Sequence, residues 1–492
     1  MSNHLSTLIS DVRELLDSAS EVYAGTPTAA QVDVLRERLH APLRVAIAGK
    51  VKAGKSTLLN ALVGEQLAPT DEGECTRIVT WYQDGTTYRV VADLRNGESR
   101  QLPFDRVDGA VQVELGDLST DDVDRLEVTW PSSALRDLSL IDTPGIGSLT
   151  SDAEERAMSF LASDEEPTAA DAVLYLMKHL HATDIGFLEA FHDDEVSKPN
   201  PVNAIAVLSR ADEIATGRLD AMASARKIAA RYSSEPKVRR MVQTVVPVAG
   251  LLAESAATLT EAEFQGLALI GKLPSRDAES LLLTTDRFVN STSDVGLTSM
   301  EREQLLKRFG VFGIRLASTL LRQGTVSTAS ELSREMIARS GLDDLREILG
   351  SLFAERRDLL KARSALLALG NLIEDHPAPG SEQLDADIER VVASAHPLNE
   401  LRILSAVRSG WIQAKDEHLR ELERLLGTDG QSPRARLGLP PDADDDTVRS
   451  ELLATLARWQ RRAENPMTRH EMAVASRVAV RTCEGMFAAG AG

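Results

Sequence analysis

Apolar residues near the N-terminus recur at three- and four-residue spacing. Leu8, Ile9, Val12, Leu15, Leu16, Ala19 and Val22, with Leu5 before them, fall on one side of a helix. Thr26-Pro27 breaks it, and a second helical piece runs from Gln31 to His40. At Leu43 the period changes. Residues 43–48 form a short apolar run ending in glycine, the pattern of a buried strand. Further strands are predicted at 78–82, 88–94, 126–130, 138–142, 172–177, 202–208 and 244–248, most of them separated by helical or loop segments. That alternation implies a mostly parallel sheet covered on both faces, an α/β region over 42–275 preceded by helices in 1–41.

Beyond about residue 300 strand signals nearly vanish. Leu345, Leu352, Leu359 and Leu366 recur every seventh residue, with Phe353, Leu360 and Leu367 beside them, and predict a helical seam over 343–374. The run His376-Pro377-Ala378-Pro379-Gly380 stops it. Two more helices are predicted at 382–395 and 397–426, the second with Leu401, Leu404, Trp411, Leu419, Leu422 and Leu426 near one side. A loop rich in Gly, Pro and Asp spans 427–446, and helices at 447–463 and 467–487 close the chain. The expected layout is a helical connector over 276–342 and an antiparallel bundle over 343–492, its last helix returning to the connector. The stripes of the first and last helices, the latter carrying Met472, Val474, Val478, Val480, Met486 and Phe487, are expected to bury each other.

Composition narrows the partners. Fifty-five Lys+Arg against 75 Asp+Glu leave a net charge of −20, which argues against nucleic acid, whose binding rests on a basic footprint. Aromatics at 4% lean the chain towards helix. The two cysteines, Cys75 and Cys483, are too far apart in sequence for a disulfide framework or metal-ligand spacing, so a reducing, cytoplasmic setting is expected. The N-terminus lacks the basic start and apolar run of a secretory signal, and no uncharged apolar stretch of about 18 residues occurs. The expectation is a soluble or peripheral protein.

Gly49-Lys50-Val51-Lys52-Ala53-Gly54-Lys55-Ser56 matches G-x-x-x-x-G-K-[ST], directly after the first strand and before a helical run starting at Thr57. Such a loop lets backbone amides close around phosphate oxygens, with Lys55 at the β- and γ-phosphates and the Ser56 hydroxyl on Mg²⁺. Asp142-Thr143-Pro144-Gly145 ends another strand; Asp142 there holds the magnesium through a water, and the Gly145 amide meets the γ-phosphate. Ser209-Arg210-Ala211-Asp212 stands where GTPases carry [NT]-K-x-D. Asp212 can accept two hydrogen bonds from guanine that adenine cannot supply, and Arg210 can lie flat over a purine. Ala249-Gly250 follows the next strand, where small residues approach the guanine oxygen. Thr76, 20 residues after Ser56, sits on a loop that can complete the magnesium shell; Thr80 is its competitor.

These marks are those of a GTPase. With an N-terminal helix before the GTPase region and a long bundle after it, the chain resembles the bacterial dynamin-like proteins, the isoniazid-inducible mycobacterial GTPases among them. The resemblance implies a P-loop GTPase domain with a helical neck and trunk, GTP hydrolysis to GDP and phosphate, and coupling to membrane remodelling. It also implies self-association through GTPase domains, a related dynamin-like subunit as partner, and peripheral attachment to the inner face of the cell membrane. The water-orienting glutamine of small GTPases is missing, since Ile146-Gly147 follows Gly145. In guanylate-binding proteins an arginine two residues before the G-K-S glycine serves as an internal finger; Lys52 occupies that position here, with a solvated loop lysine as the alternative. For anionic lipid, the candidates are Arg458, Trp459, Arg461, Arg462, Met467 and Arg469 at a helix–helix corner, with Arg356, Arg357, Lys361 and Arg363 as a second basic group; both could equally be solvated helix faces. The competing function is a GTP-dependent assembly or stress-signalling switch that acts on a protein and never on lipid.

Overall fold

A computed structural model describes residues 2–69, 78–107, 110–144, 170–180, 203–291, 295–408 and 410–489. Eleven strands are formed among them: β1 (Leu43–Gly49), β2 (Val79–Asp84), β3 (Arg89–Leu94), β4 (Ser99–Leu102), β5 (Phe104–Val107), β6 (Ala110–Val113), β7 (Val123–Trp130), β8 (Leu138–Asp142), β9 (Ala172–Met177), β10 (Ala204–Ser209) and β11 (Val245–Val248). Nine make one sheet in the order β11-β10-β9-β1-β8-β2-β7-β3-β4, while β5 and β6 pair separately. β11, β10, β9, β1 and β8 run parallel; β2 turns antiparallel to β8 but parallel to β7, and β3 and β4 complete an antiparallel edge. The sheet is therefore mixed, with a parallel half.

β9 and β10 are buried along their whole length, which is why they read as unbroken apolar runs rather than alternations. β4 (Ser99-Arg100-Gln101-Leu102) has no such signal because three of its four residues face outward at the sheet edge. One face of the sheet packs under helices α4 (Ala221–Ser234), α5 (Gly250–Ala257), α6 (Ser299–Arg322) and α7 (Ala329–Ser340), through residues such as Tyr175, Ala206, Ala225, Leu252, Phe309 and Met336. The other face packs under α3 (Lys55–Val63) and α8 (Leu342–Leu349), with Ile47, Leu59, Leu174 and Leu345 in one cluster. The span 276–342, expected to be a connector, shares this apolar cluster, packing chiefly on α5 and on the helix Glu261–Gly271. Its apolar residues, Leu305, Phe312, Leu316 and Leu320 among them, are spent there.

The heptad seam divides. After α8 comes a π-helical turn at Gly350–Ala354, then α9 (Arg357–Asp375). Leu345, Leu352, Phe353 and Leu360 belong to the sheet's core, whereas Leu359, Leu366 and Leu369 belong to the bundle's. A π turn shifts the helical phase, so one seven-residue repeat serves two cores.

The bundle comprises α1 (Ser2–Val22), α2 (Ala29–His40), α9, α10 (Ser381–Ser394), α11 (His396–Arg408), α12 (Asp416–Leu425), α13 (Asp445–Glu464) and α14 (His470–Ala488). α1 packs mainly on α2, α9 and α10, and α14 mainly on α13 and α11. The first and last helices therefore share one apolar cluster without being each other's principal partner. The turn between α13 and α14 makes them a hairpin, and neighbours in sequence meet first. The helix expected over 397–426 is broken: Gly410, at φ +80°, follows α11, and Trp411 leaves the stripe.

Polar contacts join the two parts. Arg38 of α2 bonds Asp171 at 3.3 Å, whose other oxygen accepts the Arg44 amide at 2.9 Å, and Lys361 of α9 donates to the carbonyls of Leu39, at 3.1 Å, and Ala41. Elsewhere Arg239, beyond α4, donates to both carboxylate oxygens of Glu423 on α12 at 2.8 Å. Among the described residues no helix is long and apolar enough to cross a membrane, and no group of acidic, His or Cys residues forms a metal cluster. Cys483 is buried, and burial pushes its thiol up to about 12.

Deleting residues 2–22 is expected to deprotect α9 and α10 while leaving the α13–α14 hairpin protected, as read by amide hydrogen exchange.

Candidate nucleotide-binding site

β1 lies between β8 and β9 and delivers the phosphate loop at its C-terminal end. Gly49 has φ +149°, and a Cβ there would come 2.5 Å from the Leu176 carbonyl of β9, so only glycine fits. Ala53 N–H donates back to the Lys50 carbonyl at 3.0 Å, closing the turn over Val51 and Lys52. Gly54, at φ +93°, then opens α3, whose first amides have no helical acceptors and can receive phosphate oxygens. Thr57 stands in the first turn of α3, 3.7 Å from where a Cβ on Gly250 would sit, so the loop of Ala249 and Gly250 abuts the phosphate loop's helix.

Lys55 Nζ donates to the Gly49 carbonyl at 3.3 Å, and burial lowers its ammonium while Asp142 holds it up. Ser56 Oγ donates to Asp142 Oδ2 at 2.7 Å. Burial raises the Asp142 carboxyl, against the pull of Lys55 and Ser56, and its Oδ1 is buried with no partner among the described residues. A hydroxyl and an orphaned carboxylate oxygen are hard oxygen donors, so these residues fit Mg²⁺. Thr76 and Gly145 lie outside the described residues. Thr80, the competitor of Thr76, pairs with Asp142 across β2 and β8; it is buried and its hydroxyl donates to the Ile78 carbonyl at 3.3 Å, on a strand rather than a loop.

Among the described residues two non-glycines have left-handed backbone, Lys52 at φ 62° and Arg210 at φ 52°. They touch: Arg210 Nη2 donates to the Lys52 carbonyl at 3.0 Å, while Nη1 pairs with Glu213 at 2.8 Å. The loop after β10 therefore grips the loop after β1 through Arg210. Asp212 is partly buried, and burial raises its carboxyl, Glu213 adding to this and Arg210 opposing. The Ser209 hydroxyl is buried without a partner among the described residues. Ala249 donates its amide to the Ser340 carbonyl at 2.8 Å, and Gly341 is obligatory behind it, since a Cβ there would meet the Pro247 carbonyl at 2.2 Å.

Two residues escaped sequence reasoning. Lys178 follows β9; partial burial lowers its ammonium, as do the nearby cations Arg210 and Lys52. Its signal was its place at the end of an apolar strand beside β1. Asn60 of α3 is buried, donates to Glu254 at 2.8 Å and to the Ala68 carbonyl at 3.0 Å, and accepts from the amides of Leu67 and Ala68. It holds the chain leading into 70–77, and an amide inside an otherwise apolar helix was the clue.

The expected lipid corner does not assemble as drawn. Trp459 is fully buried, with the Arg462 guanidinium 4.4 Å over its ring, and Arg458 is engaged by Glu421 and Glu451. Arg461 and Met467 remain exposed, and Arg469 donates to Gln413 at 3.0 Å. Trp459 sits on the inward stripe of α13, so the same tryptophan cannot reach a surface. Of the second basic group, Arg356 and Lys361 are also buried, bonded to backbone carbonyls.

Burial raises the Asp142 carboxyl, so protons compete with a divalent cation for it. Affinity for a magnesium nucleotide is expected to fall as pH drops from neutral towards the carboxylate range, and Asp142→Asn to weaken binding and flatten that profile, by calorimetric titration.

A model described as the Dynamin family matches residues 45–209, a span holding the phosphate loop, Asp142 and Ser209. The chain is 39% identical over 484 residues to the isoniazid-induced protein IniC of Mycobacterium tuberculosis, covering 97% of this chain and 98% of that one. It is 36% identical over 129 residues to IniA of the same organism, covering 23% of this chain and 19% of that one. To a bacterial dynamin-like protein of Nostoc punctiforme it is 33% identical over 114 residues, 21% of this chain and 16% of that one. A solved structure of an oligomerised bacterial dynamin pair aligns with 99% of this chain and 75% of its own, at TM-score 0.30 and 13% identity. The chain belongs to the dynamin family, as a bacterial dynamin-like GTPase related over nearly its whole length to IniC.

Proposed function

We propose that this GTPase binds GTP with Mg²⁺, hydrolyses it to GDP and phosphate, and couples the cycle to binding and remodelling of a membrane. The carrying observation is the convergence of Lys55, Ser56 and Asp142 at the ends of β1 and β8, with Ser56 and Asp142 2.7 Å apart. Lys55 neutralises the β- and γ-phosphates, and amides from Gly49 to Thr57 cradle them. Ser56, Thr76 and Asp142, the last through a water, would hold the magnesium, which neutralises charge on the phosphate oxygens. Asp212 reads the guanine edge, with Ser209, Ala249 and Gly250 bounding the base, and the Gly145 amide meets the γ-phosphate.

Lys52 neutralises charge that develops on the β–γ bridge as GDP leaves. Its backbone is left-handed and its carbonyl is held by Arg210, so a nucleotide that settles Arg210 over its base also fixes the segment bearing Lys52. Lys178 adds to the same positive field. The attachment of the bundle at the foot of β1 and β9, through Arg38, Asp171 and Lys361, provides the mechanical route from pocket to trunk. On this reading the protein works on the inner face of the cell membrane and self-associates through GTPase domains, with a related dynamin-like subunit as a further partner. The burial of Trp459 favours the second reading, a switch acting on a protein partner without lipid. Cosedimentation with anionic vesicles, with and without GTP, separates the two.

Lys55→Ala is expected to abolish nucleotide binding. Lys52→Ala is expected to keep binding but slow phosphate release at saturating GTP, by less than the roughly thousandfold loss of an arginine finger. Unchanged turnover would return Lys52 to a solvated loop residue.

GTP is expected to outcompete ATP for the pocket, and Asp212→Ala to erase that preference, at about 1–3 kcal/mol for each guanine donor left unpaired. Competition against a fluorescent GTP analogue measures it.

A further inference from the structure

Two loops of the bundle meet at one corner. The connector between α11 and α12 is tied to the turn between α13 and α14 by the Arg469–Gln413 hydrogen bond of 3.0 Å. Each loop displays one large apolar side chain: Trp411 is 80% exposed and Met467 89%, the two highest values for such residues among those described. Both loops are internally bonded. The Trp411 amide donates to the Ala406 carbonyl at 3.0 Å, and the adjacent Ile412 is buried at 3% exposure, so the backbone is anchored while the indole is held out. On the other loop the Met467 amide donates to Asn465 Oδ1 at 2.9 Å, and Thr468 Oγ1 to the Arg462 carbonyl at 2.9 Å. A tryptophan and a methionine held out on braced loops call for something to cover them.

We propose that this corner is the lipid-inserting anchor of the protein, with Trp411 and Met467 entering the headgroup region of a bilayer. The inference rests on the membrane reading above and supplies its contact point. A second copy of the chain is the poorer occupant, because a stable protein interface buries about 800 Å² on each side, whereas an aromatic side chain brings only about 150–250 Å². Insertion needs no such area. Tryptophan partitions to the membrane–water interface, and a weak single anchor becomes effective when copies assemble on one surface. Charge is consistent with this. The chain as a whole carries −20, but Arg240, whose guanidinium lies 3.5 Å from where a Cβ on Gly410 would sit, and Arg469, bonded to Gln413, stand at the corner, with Lys415 and Arg461 close to it in sequence. These four cations match in number the acids closest to the two loops in sequence, Asp416, Glu417, Glu464 and Glu471, so the acidic field that would repel an anionic bilayer is offset where the apolar side chains protrude.

The other three tryptophans, Trp81, Trp130 and Trp459, are 6%, 3% and 0% exposed, so fluorescence quenching by bromine-labelled lipid reports on Trp411 almost alone. The full-length chain is mixed with phosphatidylcholine vesicles with and without phosphatidylglycerol, and sedimented. The expected result is quenching and cosedimentation of the unmutated protein. In the Trp411→Ala, Met467→Ser double variant quenching is lost and vesicle affinity falls about tenfold or more, with vesicle-free GTP turnover and thermal melting unchanged. Vesicle binding by the double variant equal to that of the unmutated protein would overturn the assignment and leave the membrane reading standing. An unmutated protein that ignores vesicles of both compositions would overturn both. Concentration-dependent dimerisation without vesicles, abolished by the double variant in sedimentation velocity, would assign the corner to self-association instead.

Discussion

The hydrogen bond from Arg210 to the carbonyl of Lys52 is the contact on which the nucleotide site turns. It joins the two non-glycine residues held in left-handed backbone among those described, a conformation that costs on the order of 1–3 kcal/mol at each. Strain of that size persists only where surrounding structure over-determines it. Here the frame is parallel pairing. β1 is clamped between β8 and β9, with Gly49 beside Leu176 and Ile47 beside Asp142, and β10 is laid on β9. The sheet fixes where three loops emerge, and Arg210 couples two of them.

Burial around the site opposes the charges that the chemistry uses. Asp142 is raised and Lys55 lowered by desolvation, and each partly restores the other. Asn60 and Glu254 repeat the pattern behind them, Glu254 being raised by burial and held by the Asn60 amide. Among the described residues such a site is incompletely satisfied by its own side chains, as the unpartnered Asp142 Oδ1 records. A bound cation and phosphate would supply what is missing, so ligand binding is expected to stabilise this region.

The foot of the sheet has the opposite character. Asp171 is bonded to Arg38 and to the Arg44 amide, and Lys361 satisfies carbonyls at the end of α2. Partners from α2, β1, β9 and α9 are used up there, which makes this end a joint between two cores rather than a ligand site. The Arg239–Glu423 pair adds a second attachment from the side. Movement of the bundle relative to the sheet must act on these polar contacts and on Leu360, the α9 residue that packs in the sheet's core.

Local patterns were enough to read the phosphate loop, Asp142, the Ser209–Asp212 turn, the long strands and most helices, because each rests on a short-range rule: glycines at fixed offsets, an acid at a strand end, apolar runs bounded by breakers. They were also enough to identify the family. What local pattern could not decide was partnership. The seven-residue repeat from Leu345 to Leu366 looks continuous in sequence, yet a π turn divides it between sheet and bundle. The stripes of α1 and α14 both needed cover, and only packing assigned α1 to α9 and α10 and α14 to α13. Trp411 and Trp459 exchanged their expected places for the same reason. Amphipathic period says that a face will be buried; which side of a broken or phase-shifted helix meets which neighbour depends on contacts distant in sequence, and these exist only once the chain has folded.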